Sequence, residues 1–391
     1  MDIELQKQDI LIIGGGPSGI STALHLAQRA PELVPRILVL EKANYPRLKL
    51  CAGGLVLDGE IILRRLGLDV SEVPHVDADA AHLDFEGHGL TLAPHRRRLM
   101  RVIRRDEFDA WLAGKARERG IRIREGVTVK SVQPGPDGVI VETATERYLA
   151  QVVVGADGSN GVVRRSILPD APVYTARALE VLTPEPVQMA AGQRPHRQKH
   201  AYFDFFPVPD GIAGYTWDFP TQVKGQPMRC WGIYDTNILA DMSRPPLKQP
   251  LAAEMARFGL NLDDYEIKGH PIRWFDPFNK FSVPRVLLVG DAVGADPIFG
   301  EGISIALGYG RLAAAEIAAA FARPDFRFAG YKRRVLLSSL GQSLLVRWFL
   351  TYILYPWHWK WFQVLVLRIL QPLVLFIGWF FVLNWGRRMR E

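Results

Sequence analysis

Cysteine is nearly absent from this 391-residue chain: Cys51 and Cys230 are the only two. Two thiols so far apart build no disulfide framework, so a reducing, cytosol-facing compartment is expected. The opening MDIELQKQDILIIGGG has neither the basic start nor the cleavage site of a secretory signal, and it is expected to run straight into a strand. Zinc-ligand spacings and nucleic-acid modules are missing, and no metal site is expected. The net charge of +7 is concentrated in HRRRLMRVIRR (95–105) and the terminal GRRMRE, so no nucleic-acid partner is expected either. There is no internal repeat and no low-complexity tract. With 48% hydrophobic and 23% charged residues, disorder is excluded too.

What is there reads as alternating strands and helices. DILII (9–13), a glycine turn, the helically spaced ISTALHLAQRA and then RILVLEK (36–42) make one strand–helix–strand crossover. Residues 104–119 are helical in pattern, with Phe108, Leu112 and Ala116 along one stripe and Asp106 and Glu107 near the start. YLAQVVVGADG and RVLLVGDAVG are two further buried strands, the second followed by the helical ISIALGYGRLAAAEIAAAFA. Residues 170–280 carry aromatic, proline-rich strand segments without a long helical period. The fold class expected is α/β: a Rossmann-like domain (1–75, 100–169 and 281–335) with an inserted antiparallel-sheet domain (76–99 and 170–280). A hydrophobic helical segment (336–391) closes the chain.

Gly14-Gly15-Gly16-Pro17-Ser18-Gly19 fits G-x-G-x-x-G directly after a strand and at the start of a helix. Gly14 permits the tight turn, Gly16 lets the backbone approach a pyrophosphate, and Gly19 allows close helix–strand packing. The helix start offers free N–H groups to phosphate oxygens. Glu41 ends the second strand, where an acid accepts hydrogen bonds from a ribose. Asp157-Gly158 closes the mid-chain strand, and Asp291 closes another before Pro297, Gly300, Gly302 and Ile303 lead into a helix. A carboxylate at such a strand end suits a polyol hydroxyl, and glycines there admit a ring. For Asp157 a turn-capping role stands beside cofactor contact.

This spread of motifs resembles the FAD proteins typified by para-hydroxybenzoate hydroxylase. The resemblance implies FAD as cofactor, Asp291 on the ribitol, the Gly300 and Gly302 backbone at the pyrimidine edge, and Arg105 of RRDEFDAWL against FAD. Lys42 and Val129 complete the expected cofactor set. Within that group the chain most resembles the geranylgeranyl reductase family over about residues 8–325. Cys51-Ala52-Gly53-Gly54 is similar to the family's Cys-Gly-Gly element with one residue inserted, and GYTWDFP supplies its Tyr-x-Trp-x-Phe-Pro element as Tyr215, Trp217, Phe219 and Pro220. The implied activity is hydrogenation of carbon–carbon double bonds of a prenyl lipid, with hydride from N5 of the reduced flavin.

Two readings stand for Cys51: a buried inert thiol, or a thiol over the flavin that protonates the substrate carbon, a task Tyr215 could share. Gly53 and Gly54 would then give the substrate room. Strand alternation puts Tyr215, Trp217 and Phe219 on one face, either as an apolar substrate wall or as sheet packing. Lys49 and Arg96 to Arg98 could approach a diphosphate or phospholipid head group, or form a solvated basic face. Cys230 reads as a structural strand residue.

Residues 344–391 are rich in Leu, Val, Trp and Phe, and Gln363 to Trp385 is long enough to cross a bilayer. Arg368, Gln371 and Pro372 interrupt it, so a monotopic hairpin or tilted span on the cytoplasmic face is expected. Tryptophans 357, 359, 361, 379 and 385 would sit at the headgroups, with Arg387, Arg388 and Arg390 toward anionic lipid. A dimer interface or substrate-domain cap is the competing reading. A flavin monooxygenase or halogenase shares the cofactor motifs, although a halogenase-type Trp-x-Trp-x-Ile-Pro element is missing; a non-catalytic prenyl-lipid carrier is a third reading. No second G-x-G-x-x-G marks a nicotinamide domain, leaving NAD(P)H, ferredoxin or quinol as electron donor.

Overall fold

The computed structural model describes residues 4–94, 98–185, 199–239 and 245–389. Arg96, Arg97 and Arg390, expected near lipid head groups, lie outside the described residues. An eight-stranded sheet forms the base. Its path runs Ser282–Val283, Val286–Leu288, Arg147–Gly155, Leu5–Ile13, Ile37–Leu40, Arg122–Arg124, and the last five strands are parallel. Two antiparallel strands, Ser131–Pro134 and Val139–Glu142, extend from Arg147–Gly155. The central strands are apolar on both faces because both are covered: Ile10, Leu11, Ile12 and Val152 to Val154 are fully buried. Helices Pro17–Arg29 and Ile303–Ala322 pack so closely that a Cβ on Gly310 would lie 2.6 Å from Ser21, whose hydroxyl donates to the Leu307 carbonyl at 2.8 Å.

Register decides where the chemistry sits. Ile13 pairs with Leu40 and with Gly155, and Gly155 pairs with Leu288. Four parallel strands therefore end on one line, and the residues just beyond them share the crevice outside their carboxyl ends, where ligands bind in open α/β sheets.

A seven-stranded sheet stands over this crevice in the order Lys268–Arg273, Thr175–Pro184, Gln226–Asp235, Gly214–Val223, His200–Asp204, Ala80–Phe85, His88–Leu92. It is antiparallel except where His200–Asp204 runs parallel to Ala80–Phe85. Those two strands come from separate chain segments, and no hairpin joins them. A small sheet of Gly54–Val56, Met100–Ile103 and His75–Ala78 links the two halves.

The tail begins with Ser339–Leu354. Lys360–Ile369 and Gln371–Val382 follow, bent by 73° across Leu370. Gln363 to Trp385 is therefore not one straight helix. Pro372 lacks an N–H, and its ring disfavours helical backbone before it, so the helix restarts at the break. Among the described residues, Ile303–Ala322 is the single helix long and apolar enough to cross a membrane, and the bent pair passes only if taken as one span. The former is a core helix, with Ile305, Leu307 and Ala313 buried. Trp385 corrects the expectation of an interfacial ring: it is fully buried, 2.8 Å from where a Cβ on Gly308 would lie. The short helix Trp385–Arg388 carries it back into the core, and Asp58 accepts hydrogen bonds from the Asn384 and Gly386 N–H groups at 3.0 and 2.7 Å.

Candidate active site

The glycine turn after Ile13 is packed behind and open in front. Gly14 has φ 105°, and a Cβ there would sit 2.3 Å from the Ala156 carbonyl; a Cβ on Gly19 would sit 2.0 Å from the Gly14 carbonyl. Gly19 therefore braces the turn from behind, while Gly14, Gly16, Pro17 and Ser18 line the cavity. A Cβ on Gly16 would meet only the Arg47 guanidinium, at 3.3 Å. Glu41 is buried and accepts the Gly15 N–H at 2.8 Å and the Ala43 N–H at 3.0 Å. Each oxygen keeps a lone pair for a sugar hydroxyl. Glu41 is thus a brace of the turn as well as a wall of the cavity beside Lys42 and Val129.

Arg105 forks onto Asp109 through two 2.8 Å hydrogen bonds, and Arg47 reaches the same buried carboxylate at 2.8 Å. Arg47 also lies 3.8 Å from Glu41, so the two guanidiniums are set beside the turn by two carboxylates, with N–H donors of a kind that suits a diphosphate. Asp157 accepts the Val163 N–H at 3.0 Å, so it caps the helix Val162–Ile167; burial raises its pKa. It also lines the cavity with Gly158, whose φ is +83°. Its Oδ1 is buried without a hydrogen-bond partner among the described residues. Asp291 is half-buried and lines the cavity with Gly300, Gly302 and Ile303; a Cβ on Gly302 would sit 3.7 Å from its Oδ1. Pro297 is a correction: it lies behind the cavity lining, its carbonyl accepting the Tyr234 hydroxyl at 3.0 Å. The backbone cradle at Gly14, Gly16, Gly158 and Gly302, the paired arginines and the orphaned Asp157 oxygen together fit a dinucleotide such as FAD.

The same cavity, about 1440 Å³, continues under the seven-stranded sheet. Tyr215, Trp217 and Phe219 all line it, as strand alternation requires. Pro220, expected with them at the substrate, is one position on, faces the other side by the same alternation and does not line the cavity. The Tyr215 hydroxyl donates to the Phe299 carbonyl, and burial drives its pKa well above 10. Its ring is part of the apolar wall, and its hydroxyl is held at the Phe299 carbonyl.

Gly53 has φ +83° and lies so near Ile103 that a Cβ would sit 2.0 Å from its carbonyl. It fixes the cysteine loop to the small sheet, with Gly54 beside Phe219. Cys51, Gly53 and Gly54 line the cavity, and the Cys51 sulfur accepts the Gly53 N–H at 3.4 Å. Cys230 is buried, and burial pushes its thiol pKa well up.

Lys49 hydrogen-bonds His270 on the edge strand of the seven-stranded sheet; burial lowers the lysine's pKa and brings the imidazole to about 4. Sequence reasoning missed Arg47, Asp109, His270 and Glu180 at this site. Asp109 lies one helical turn after Arg105 within RRDEFDAWL, the one signal that could have found it; the other three belong to no motif, and only the register of the strands brings His270 and Glu180 to the cavity. Arg98 is held by Glu60 at 2.5 Å and Asp77 at 3.4 Å.

The tail completes the enclosure: Ile353, Leu354, Phe362, Val374 and Trp379 all line the cavity. Arg347, on the helix Ser339–Leu354, ties it to the loop at 296–302 by pairing with Asp296 and with Glu301 at 2.9 Å.

An uncharacterised protein of Methanosarcina barkeri is 28% identical over 335 residues, covering 85% of this chain and 80% of its own. A geranylgeranyl diphosphate reductase of Rhodobacter capsulatus is 26% identical, covering 81% and 76%. Among solved structures, a geranylgeranyl bacteriochlorophyll reductase-like protein from Thermoplasma acidophilum has a TM-score of 0.73 at 21% identity, covering 89% of this chain and 88% of that one. A flavin-dependent brominase has a TM-score of 0.69 at 18% identity, covering 98% and 95%. The fold is shared with both. Residues 7–322 match the FAD binding domain family, so the chain belongs to that family and is an FAD-dependent oxidoreductase.

Proposed function

We propose that this oxidoreductase hydrogenates carbon–carbon double bonds of a membrane prenyl lipid. One observation carries the reading: a single cavity joins the glycine cradle, the aromatic wall Tyr215–Trp217–Phe219 and the apolar tail helices. Bound FAD, in its reduced form, supplies the hydride that such a reduction needs. The chain's own part is to hold a flat, apolar chain still and to keep water out. Trp217 and Phe219 offer faces for the isoprene units, and the loop at Gly53 and Gly54 leaves space above them. A small polar substrate would find few partners along that wall.

The tail gives a route in. Trp357, Trp359, Trp361, Phe376, Trp379 and Phe380 are exposed, and several neighbours in the same helices line the cavity. We infer that this face rests in the cytoplasmic leaflet, with Arg387 and Arg388 toward anionic head groups. A prenyl chain loses about 0.8 kcal/mol for each CH₂ moved into water, so lateral transfer from lipid is the favoured path. The electron donor is NAD(P)H or ferredoxin.

Relatives at 26% identity named for geranylgeranyl diphosphate reduction support the reading. The brominase of like fold keeps a second one in view, a flavin monooxygenase or halogenase acting on a hydrophobic substrate. Lipid mass spectrometry on cells with and without the protein separates them. Reduction adds two hydrogens per double bond, whereas the alternatives add oxygen or halogen. Deleting residues 344–391 should release the protein from membranes; equal membrane binding without them would refute the anchor.

A further inference from the structure

Hydrogenating an alkene takes a hydride and a proton, and with the Tyr215 hydroxyl held by a carbonyl the proton needs another source. The register of the seven-stranded sheet points to one. Trp217 pairs with Gly232, Gly232 with Glu180, and Glu180 with Lys268. In-register neighbours point to the same face of a sheet, so Glu180 extends the row that begins with the Trp217 ring. Gly232 makes this row possible: a Cβ there would lie 2.1 Å from Trp217 Cζ2, so the indole leans across the glycine toward the carboxyl group.

Glu180 is 8% exposed and lines the same cavity. The Cys51 backbone N–H faces its carboxyl group, which brings the cysteine loop and the sheet together at this point. Among the described residues no side chain hydrogen-bonds to it. A buried, side-chain-unpaired carboxyl group at the end of an aromatic wall, beside the Cys51 loop, is unusual in so apolar a cavity. It is costly there unless it has a task.

We propose that Glu180 is the general acid of the reduction, donating its carboxyl proton to one alkene carbon as the other receives hydride. The balance closes: the C=C π bond breaks, two C–H bonds form, one from the hydride of the reduced flavin and one from the Glu180 proton. Glu180 is left as carboxylate and regains a proton from solvent. The proposal rests on the reductase reading.

Burial raises the Glu180 pKa to about 6, opposed by the charges of Arg104, Lys268 and Lys49 and by the Cys51 N–H. Cys230 on the neighbouring strand and His270 on the edge strand also face this corner. A donor must be protonated, so the reduction rate should fall as pH rises above about 6.

The test uses the full chain with FAD and a probe, geranylgeranyl diphosphate in phosphatidylglycerol vesicles. The flavin is reduced chemically under anaerobic conditions, and its reoxidation by the probe is followed. Glu180→Gln should keep FAD and probe binding but slow reoxidation about 100-fold or more, the usual contribution of a general acid, and flatten the pH profile. Glu180→Asp should recover part of the rate. Independently of turnover, infrared difference titration of the flavin-free protein should show a protonated carboxyl band that titrates near pH 6 and is missing from Glu180→Gln, beside the band of Asp58, which burial also raises to about 6 and which both proteins keep. Wild type that turns over while Glu180→Gln keeps its rate and pH profile overturns the assignment of the acid alone. So does wild type without that infrared band. Wild type that binds FAD yet leaves every double bond intact counts against the reductase reading itself.

Discussion

Arg347 is the place where the tail and the loop at 296–302 stand or fall together. It is 1% exposed, pairs with the fully buried Asp296, and donates through Nη2 to Glu301 at 2.9 Å and to the Val382 carbonyl at 3.0 Å. The loop it seals is closed on itself: Gly300 N–H to the Asp296 carbonyl at 3.1 Å, Ile298 N–H to the Asp296 carboxylate at 2.8 Å. Arg347→Met keeps the length of the side chain and removes the charge. It leaves two carboxylates buried without their counter-charge, which costs about 3–5 kcal/mol. Over 391 residues, an unfolding entropy of about 2.1 cal/mol/K per residue sums to ~0.8 kcal/mol/K, so Tm should fall by about 4–6 °C. Because Gly300 and Gly302 follow from this loop, FAD affinity should weaken as well. Differential scanning fluorimetry and flavin titration read both effects. Asp296→Asn combined with Arg347→Met should recover part of the loss, since one of the stranded charges is gone. A single variant within 1 °C of wild type, or a double variant no better than the single, would refute the claim that this ion cluster clasps tail to loop.

Three other changes probe separate links. Gly232→Ala should force the Trp217 indole off Glu180 at a cost of about 1–3 kcal/mol from overpacking, visible as altered near-ultraviolet dichroism; an unchanged spectrum and stability would contradict the close approach. Asp58→Ala leaves the Asn384 and Gly386 N–H groups without their acceptor, so amide exchange there should accelerate after a loss of about 1–3 kcal/mol for each; unchanged protection would mean the tail is held elsewhere. Cys51→Ala should keep FAD and most of its turnover, because Glu180 supplies the proton; a loss as large as that of Glu180→Gln would put the thiol in the proton path.

Much of the cofactor half is readable from the chain alone. Local rules act there: a glycine needs positive φ at the turn after Ile13, an acid must end the second strand, and an apolar run bounded by glycines must be a buried parallel strand. The aromatic face of Tyr215, Trp217 and Phe219 follows from a two-residue period, and that same period excludes Pro220. What no local rule contains is which strand lies beside which. Glu180 stands next to Trp217 only because Thr175–Pro184 and Gly214–Val223 both pair with Gln226–Asp235, which puts Gly232 between them in register. His270 meets Lys49 across 221 positions, and Arg347 reaches Asp296 across 51. Trp385 shows the limit from the other side. Its hydrophobicity suits a membrane interface as well as a protein core, and only the space left by Gly308 on the core helix decides for the core. Periodicity and turn chemistry are properties of neighbours along the chain, so the sequence determined them. The pairing of distant surfaces depends on how volumes and charges fit once the chain has closed, and that the tertiary structure alone decided.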